Sequence, residues 1–278
     1  MMEPIQLASS PWLSWVGLAF GGLGSGIAAG LLGIGAGSLM VPILVFYLMS
    51  TGHDAGTSGQ IAVASSLAAI VFLSSRAWLS HRARGAGQPR LIVRMLPGGI
   101  VGASTGALLA QLAGGRILLL AFAAFECIVG ARYLIQRRQH TAPAADTIAS
   151  WTRATSTGLC AGLISSFFGV GGGIVAVPLQ IGWLRIRPHD AIANSSALIV
   201  FNALAGTVQY LLAPRPEVDL LTIGWVAPLP ALCLILGGLL GAPVGVALAH
   251  RLSPARLKRM FGLFLLIVAA LLARRALS

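Results

Sequence analysis

The chain has 278 residues, of which 56% are hydrophobic and only 9% charged, and it carries a net charge of +12. A soluble chain is about 25% charged, so a soluble globular domain is excluded, and with no soluble domain to present a basic face the positive charge does not argue for nucleic acid. Apolar runs of about 20 residues recur along the whole length, enough for each to cross a hydrocarbon core of about 30 Å. They are continuous rather than alternating, which disfavours a β-barrel.

The N-terminus lacks a basic region and a clear cleavage site, so the apolar run from Trp12 to Leu32 reads as a retained first helix. It is rich in glycine, and Gly22 and Gly26 form a small-xxx-small pair suited to close helix approach. A break follows at Gly33-Ile-Gly-Ala-Gly37, and a short run, Ser38 to Met49, contains Pro42. Gly carries a backbone-entropy cost and Pro removes a donor, so the cluster interrupts a helix. Ser50 to Gly59 is a polar loop holding His53 and Asp54, and Gln60 to Leu79 is a full span with Ser65 and Ser66. The loop His81 to Arg94 holds four arginines and no acid. Met95 to Leu112 and Ile117 to Ile135 span again, the second with Glu126 inside it.

A polar linker, 136–153, joins a first unit, 1–135, to a second, 154–278. The second unit repeats the order: an apolar run Ala154 to Phe168, a break Gly169-Val-Gly-Gly-Gly173, a short run Ile174 to Leu184 with Pro178, a loop with His189 and Asp190, a span Ala191 to Ala213, a long run Leu220 to Leu248 and a closing run Met260 to Ala273. Adding 136 maps Gly33, Gly35, Gly37 and Pro42 onto Gly169, Gly171, Gly173 and Pro178, and His53-Asp54 onto His189-Asp190. Ser65-Ser66 maps onto Ser195-Ser196 at an offset of 130, and Gly102/Gly106 onto Gly241/Gly245 at 139. The expected fold is therefore an all-α polytopic membrane protein of two inverted repeats, each with a Gly-broken short helix pair, with about 8–10 membrane segments. An odd number of segments per half inverts the second half. With the N-terminus outside, the basic loops fall inside and hold 14 of the 19 basic residues, which is the positive-inside distribution and makes the linker cytoplasmic.

A broken helix in a bilayer is tolerated where its freed backbone groups line a cavity, and paired breaks point to a transporter's binding site. The N–H groups and partial positive charge at the restarted helices suit an anion. The candidate substrate residues are Gly33, Gly35, Gly37, Ser65, Ser66, Gly169, Gly171, Gly172, Gly173, Asn194, Ser195 and Ser196, with Asn202 and Gln209 as weaker candidates on the helix of Asn194. Cross-helix hydrogen bonding is the competing role for Asn194 and the serines. Glu126 is the one acid inside a span and a candidate proton carrier. Asp54 and Asp190 read as helix caps or first-turn acids. Cys127, Cys160 and Cys233 have no metal-ligand spacing and read as small residues buried between helices. Gly106 reads as a packing position, where alanine is expected to leave anion binding largely intact, whereas Gly172→Val is expected to remove it. Without HExxH or paired intramembrane acids, a membrane-embedded enzyme is disfavoured, without GxxxxGK[ST] ATP drive has no motif, and no cofactor is expected.

These motifs resemble the TauE/SafE sulfite-exporter family over about residues 12–273, through the doubled Gly-x-Gly-x-Gly…Pro pattern and the Ala62–Ser66 and Ala193–Ser196 segments. The first half departs from the fuller pattern, with Ala36 where the second has Gly172. The resemblance implies a multi-pass permease of the inner membrane that carries small sulfur-containing anions such as sulfite, sulfoacetate or other organosulfonates, usually outward. Import of a sulfur or small organic anion, and a passive anion channel, stand as alternatives. The expected partners are the anion, a proton or other coupling ion and the lipid bilayer, with a homo-oligomer left open.

Overall fold

The computed structural model describes residues 11–32, 37–135, 150–249 and 254–277. Ten helices cover them: α1 (Pro11–Leu32), α2 (Gly37–Ser50), α3 (Ala55–Ala83), α4 (Pro89–Ala113), α5 (Gly115–Ile135), α6 (Trp151–Phe168), α7 (Gly173–Gly182), α8 (Pro188–Leu212), α9 (Pro228–Ala249) and α10 (Pro254–Leu277). Six of them, α3, α4, α5, α8, α9 and α10, contain stretches long and apolar enough to cross a bilayer; three shorter apolar helices, Trp15–Ala29, α2 and α7, accompany them. The chain is a polytopic helical membrane protein. The linker calls on 136–149, and the glycines Gly33 and Gly35, lie outside the described residues.

Local chemistry sets several boundaries beyond the apolar runs. Asp54 caps α3, its carboxylate accepting the Thr57 N–H at 3.0 Å, so the helix begins inside the expected polar loop. The same helix continues through His81 and Arg82, because long basic side chains let a helix leave the apolar zone without exposing its stem. What read as a loop from His81 to Arg94 is thus a short turn. Conversely, the run from Leu220 is not helical until Pro228; residues before it make a turn closed by an Ile223–Val226 bridge. A proline in the first helical position starts α9, as Pro89 starts α4.

The halves do not pack as separate bodies. α1 lies along α9 and α6 lies along α4, both as parallel pairs, while α5 runs antiparallel along α10 and α3 packs on α8. Gly22 and Gly26 of α1 rest on the backbone of Leu234 and Gly238, and Gly158 and Gly162 of α6 rest on that of Met95 and Gly99. In return Gly237, Gly241 and Gly245 meet the carbonyls of Ala19, Leu23 and Ile27, and Gly98, Gly102 and Gly106 meet those of Thr155, Leu159 and Leu163. The offsets of 136 and 139 convert one set into the other. A Cβ at Gly106 would collide with the Leu163 carbonyl, so this is the packing position expected, with no free space for a side chain. Lacking a solvent-driven hydrophobic force, helices in lipid depend on such close backbone approach.

The cysteines are a further correction. Cys127 and Cys160 are exposed on the outer surface and Cys233 is half-buried, so they do not fill the helix interfaces. A thiol is apolar enough to face lipid, and the sites of closest approach go to glycine instead.

Candidate functional site

The second glycine break is built by three residues in the left-handed region. Gly169 ends α6 with φ 70°, Gly171 has φ 83° and Gly172, at φ 74°, precedes α7. The N–H groups of Gly169 and Val170 both turn back to the Ser165 carbonyl. Side chains are disfavoured at these angles, and a Cβ on Gly172 would also sit 2.6 Å from the Ala161 oxygen. The Gly172 carbonyl accepts from Val175 and Ala176, but no side chain caps α7. Among the described residues, no acceptor meets its first N–H groups.

The two breaks touch. Gly37, the first described residue of α2, lies so close to the second break that a Cβ would be 2.5 Å from Val170 Cα and 2.7 Å from the Gly169 oxygen. Ser66 closes the contact by donating to the Val63 and Gly169 carbonyls, each at 2.9 Å. Ile70 of α3 and Ile199 of α8 flank Gly171, each 3.2 Å from where its Cβ would be. Those residues stand near the middle of their helices, so the break lies at mid-depth of α3 and α8.

Buried polar groups without partners gather around this point. Ser165 is fully buried, its hydroxyl is unmatched among the described residues, and its Cβ is 3.0 Å from the Cβ position of Gly172. Asn202, one turn along α8 from Ile199, has neither amide atom matched among the described residues; its amide oxygen lies against Gly99 of α4, and its own carbonyl accepts from Ser166 at 3.3 Å. Glu126 is fully buried, with neither oxygen matched among the described residues. Its neighbour Phe125 stacks on Phe168, the last residue of α6, with ring centres 4.6 Å apart. Val129, one turn further on α5, packs with Leu39 of α2 and against Ile174 of α7. Gly130, one turn from Glu126 on α5, rests on the Gly262 backbone of α10.

The other expected site residues are used elsewhere. Asn194 accepts the Gln88 N–H at 2.7 Å and donates to Gln180 Oε1 at 3.1 Å. Gln180 Nε2 in turn donates to Ser195 Oγ at 2.8 Å. Asp190 stands in the first turn of α8 and accepts the Gly87 N–H at 2.9 Å. This cluster ties α7, α8 and the start of α4 together. Ser65 has the matching duty in the first half, accepting the Ala227 N–H at 2.9 Å just ahead of α9. Ser196 donates within its own helix to Ile192, and Gln209 is half-buried. Of the sequence candidates, then, the structure brings together Gly37, Ser66, Gly169, Gly171, Gly172 and Gly173, and separates Ser65, Asn194, Ser195 and Ser196 from them. Sequence reading passed over Gln180 and Ser165. Gln180 is the one amide in an otherwise apolar helix, and that isolation is the signal that could have found it. No group of three His, Cys, Asp or Glu that could hold a metal occurs among the described residues.

The family model described as "Sulfite exporter TauE/SafE" matches residues 18–272. A probable membrane transporter protein of Xylella fastidiosa is 33% identical over 260 residues, covering 91% of this chain and 92% of the relative. A protein of the same description from Methanocaldococcus jannaschii is 28% identical over 266 residues, covering 92% and 95%. One from Bacillus subtilis is 22% identical over 272 residues, covering 92% and 96%. With its helical spans, its twin glycine breaks and a match that runs nearly end to end, this multi-pass membrane transporter belongs to the TauE/SafE sulfite exporter family.

Proposed function

We propose that the chain is a secondary transporter in the plasma membrane that moves a small sulfur-containing anion, such as sulfite, sulfoacetate or another organosulfonate, outward. The anion binds where the two breaks meet. The observation that carries this reading is the uncapped start of α7 at mid-depth, with the unmatched Ser165 hydroxyl against it. An anion taken from water into a low-dielectric interior needs replacement for its hydration. Free N–H groups and the helix dipole supply it without a fixed cation, and neither α2 nor α7 contains Lys or Arg. Asn202, one turn along α8 from the Ile199 that flanks Gly171, adds amide donors without a partner among the described residues. The reciprocal glycine contacts of α1 with α9 and of α6 with α4 support reading residues 1–135 and 154–278 as inverted repeats, with the basic turns on the cytoplasmic side.

Glu126 is the proton carrier in this reading. A buried carboxylate in a span, without a partner among the described residues and next to Phe125, which stacks on Phe168 at the end of α6, supports coupling of protonation to occupancy of the site. Thermal-shift titration of the purified protein with sulfite, sulfoacetate, taurine, thiosulfate and carboxylate analogues tests the substrate class, since a bound anion raises the unfolding midpoint by mass action. A sulfur oxyanion is expected to stabilise and carboxylates are not. Glu126→Gln is expected to abolish accumulation driven by a pH gradient in proteoliposomes while leaving anion exchange intact. Unchanged gradient-driven accumulation in that variant would remove Glu126 from the mechanism.

A further inference from the structure

A groove of about 400 Å³ opens where the end of α3, the turn into α4 and the flank of α8 meet. Its interior is apolar: Trp78 of α3, Ile92, Val93 and Leu96 of α4, and Phe201 of α8, with Trp78 and Phe201 edge to face at 6.2 Å. Its rim carries Arg82, one helical turn beyond Trp78 in the last turn of α3. The Arg82 guanidinium makes no hydrogen bond or ion pair with any described residue. The backbone donors beside it are already used: Gly85 donates to Arg82, Ala86 to His81 and Gly87 to Asp190. The cation at the rim is therefore the guanidinium alone. Val93 is 56% exposed, so the groove is open sideways, toward the bilayer rather than the protein interior.

A small hydrophilic anion would be held at the rim and gain nothing from the interior, whereas an amphiphile satisfies both. A tryptophan one turn below an arginine at a helix end is the arrangement of the headgroup boundary. The exposed Arg84 extends the positive field along the same turn. Basic pockets between spans are fitted to anionic headgroups, which a phosphate satisfies in bidentate fashion on arginine.

We propose that this groove binds one anionic glycerophospholipid, its phosphate on Arg82 and an acyl chain over Ile92, Val93, Leu96 and Phe201. The lipid bridges α3, α4 and α8, and so braces the turn whose Gln88 N–H is held by Asn194. The site is distinct from the glycine breaks and does not depend on which anion is transported.

Native mass spectrometry of the detergent-purified protein tests this, by titration with phosphatidylglycerol, phosphatidylcholine of the same chains and inorganic phosphate. Phosphatidylglycerol is expected to bind in preference to phosphatidylcholine, and Arg82→Gln to weaken it about fivefold, the share of one arginine near a membrane surface. Arg90→Gln, outside the groove, leaves binding unchanged, and Leu96→Trp, which fills the interior, weakens it. Both arginines are exposed, so their loss does not endanger the fold. Equal binding of the two lipids, phosphatidylglycerol binding untouched by Arg82→Gln, or displacement of the lipid by phosphate alone would overturn the assignment.

Discussion

Asn194 and Asn202 stand eight residues apart on α8, both with no exposed surface, and they behave oppositely. Asn194 is matched at both ends, by the Gln88 N–H and by Gln180. Asn202 is matched at neither. A buried amide with all partners present holds elements in register, and one without them is a standing free-energy cost that a fold keeps where something else supplies the partner. By this measure the cluster around Gln180 is structural, and the ground around Asn202, Ser165 and the glycine break is where we propose that the anion binds. The difference also separates two serines. Ser65 holds a helix start of the other half, and the adjacent Ser66 touches the break.

Four substitutions can break or sharpen that contrast. The largest effect is expected from Asn194→Leu, which leaves the Gln88 N–H and Gln180 Oε1 buried and unpaired at about 1–3 kcal/mol each. Its thermal midpoint in detergent should fall steeply, while anion affinity of the protein that remains folded is preserved. Lost affinity at native-like stability would reverse the assignment of the two regions.

Next is Gly172→Ala. The left-handed backbone costs about 1–2 kcal/mol with a side chain present, and the Ala161 oxygen lies at 2.6 Å from the new Cβ. Stability drops, and isothermal calorimetry should show anion binding lost beyond what misfolding explains. Gly24→Ala, at a position where nothing lies within 4 Å, is the matched control and changes neither quantity.

The smallest change in stability is expected from Asn202→Leu and Ser165→Ala. Each removes an unmatched polar group, so the midpoint stays or rises, within about 1 kcal/mol. Binding should nevertheless weaken in both. A clear loss of stability in either would mean that the group has a partner after all, and full affinity in both would move the anion away from the break.

The class and the helix boundaries were open to reading along the chain because they follow from local chemistry. Twenty-residue apolar runs, Gly-Pro interruptions and arginine-rich turns report on solvent and backbone at the residues where they occur. The twin breaks, the Asp54 cap and the repeat offsets are of this kind. Which helix meets which was not open in the same way. The pairing of α1 with α9 and α6 with α4 joins residues more than 50 apart, and nothing in a glycine names the backbone that will lie against it. The same holds for side-chain duty. Asn194 and Asn202 are one residue type on one helix, yet only the packing of α4 and α7 against α8 gives partners to the first and withholds them from the second. Composition and spacing determined that this chain crosses a membrane and where its helices break. Tertiary contact decided which polar groups are consumed in holding it together and which are left for a ligand, because hydrogen-bond capacity is local to a residue and its satisfaction is not.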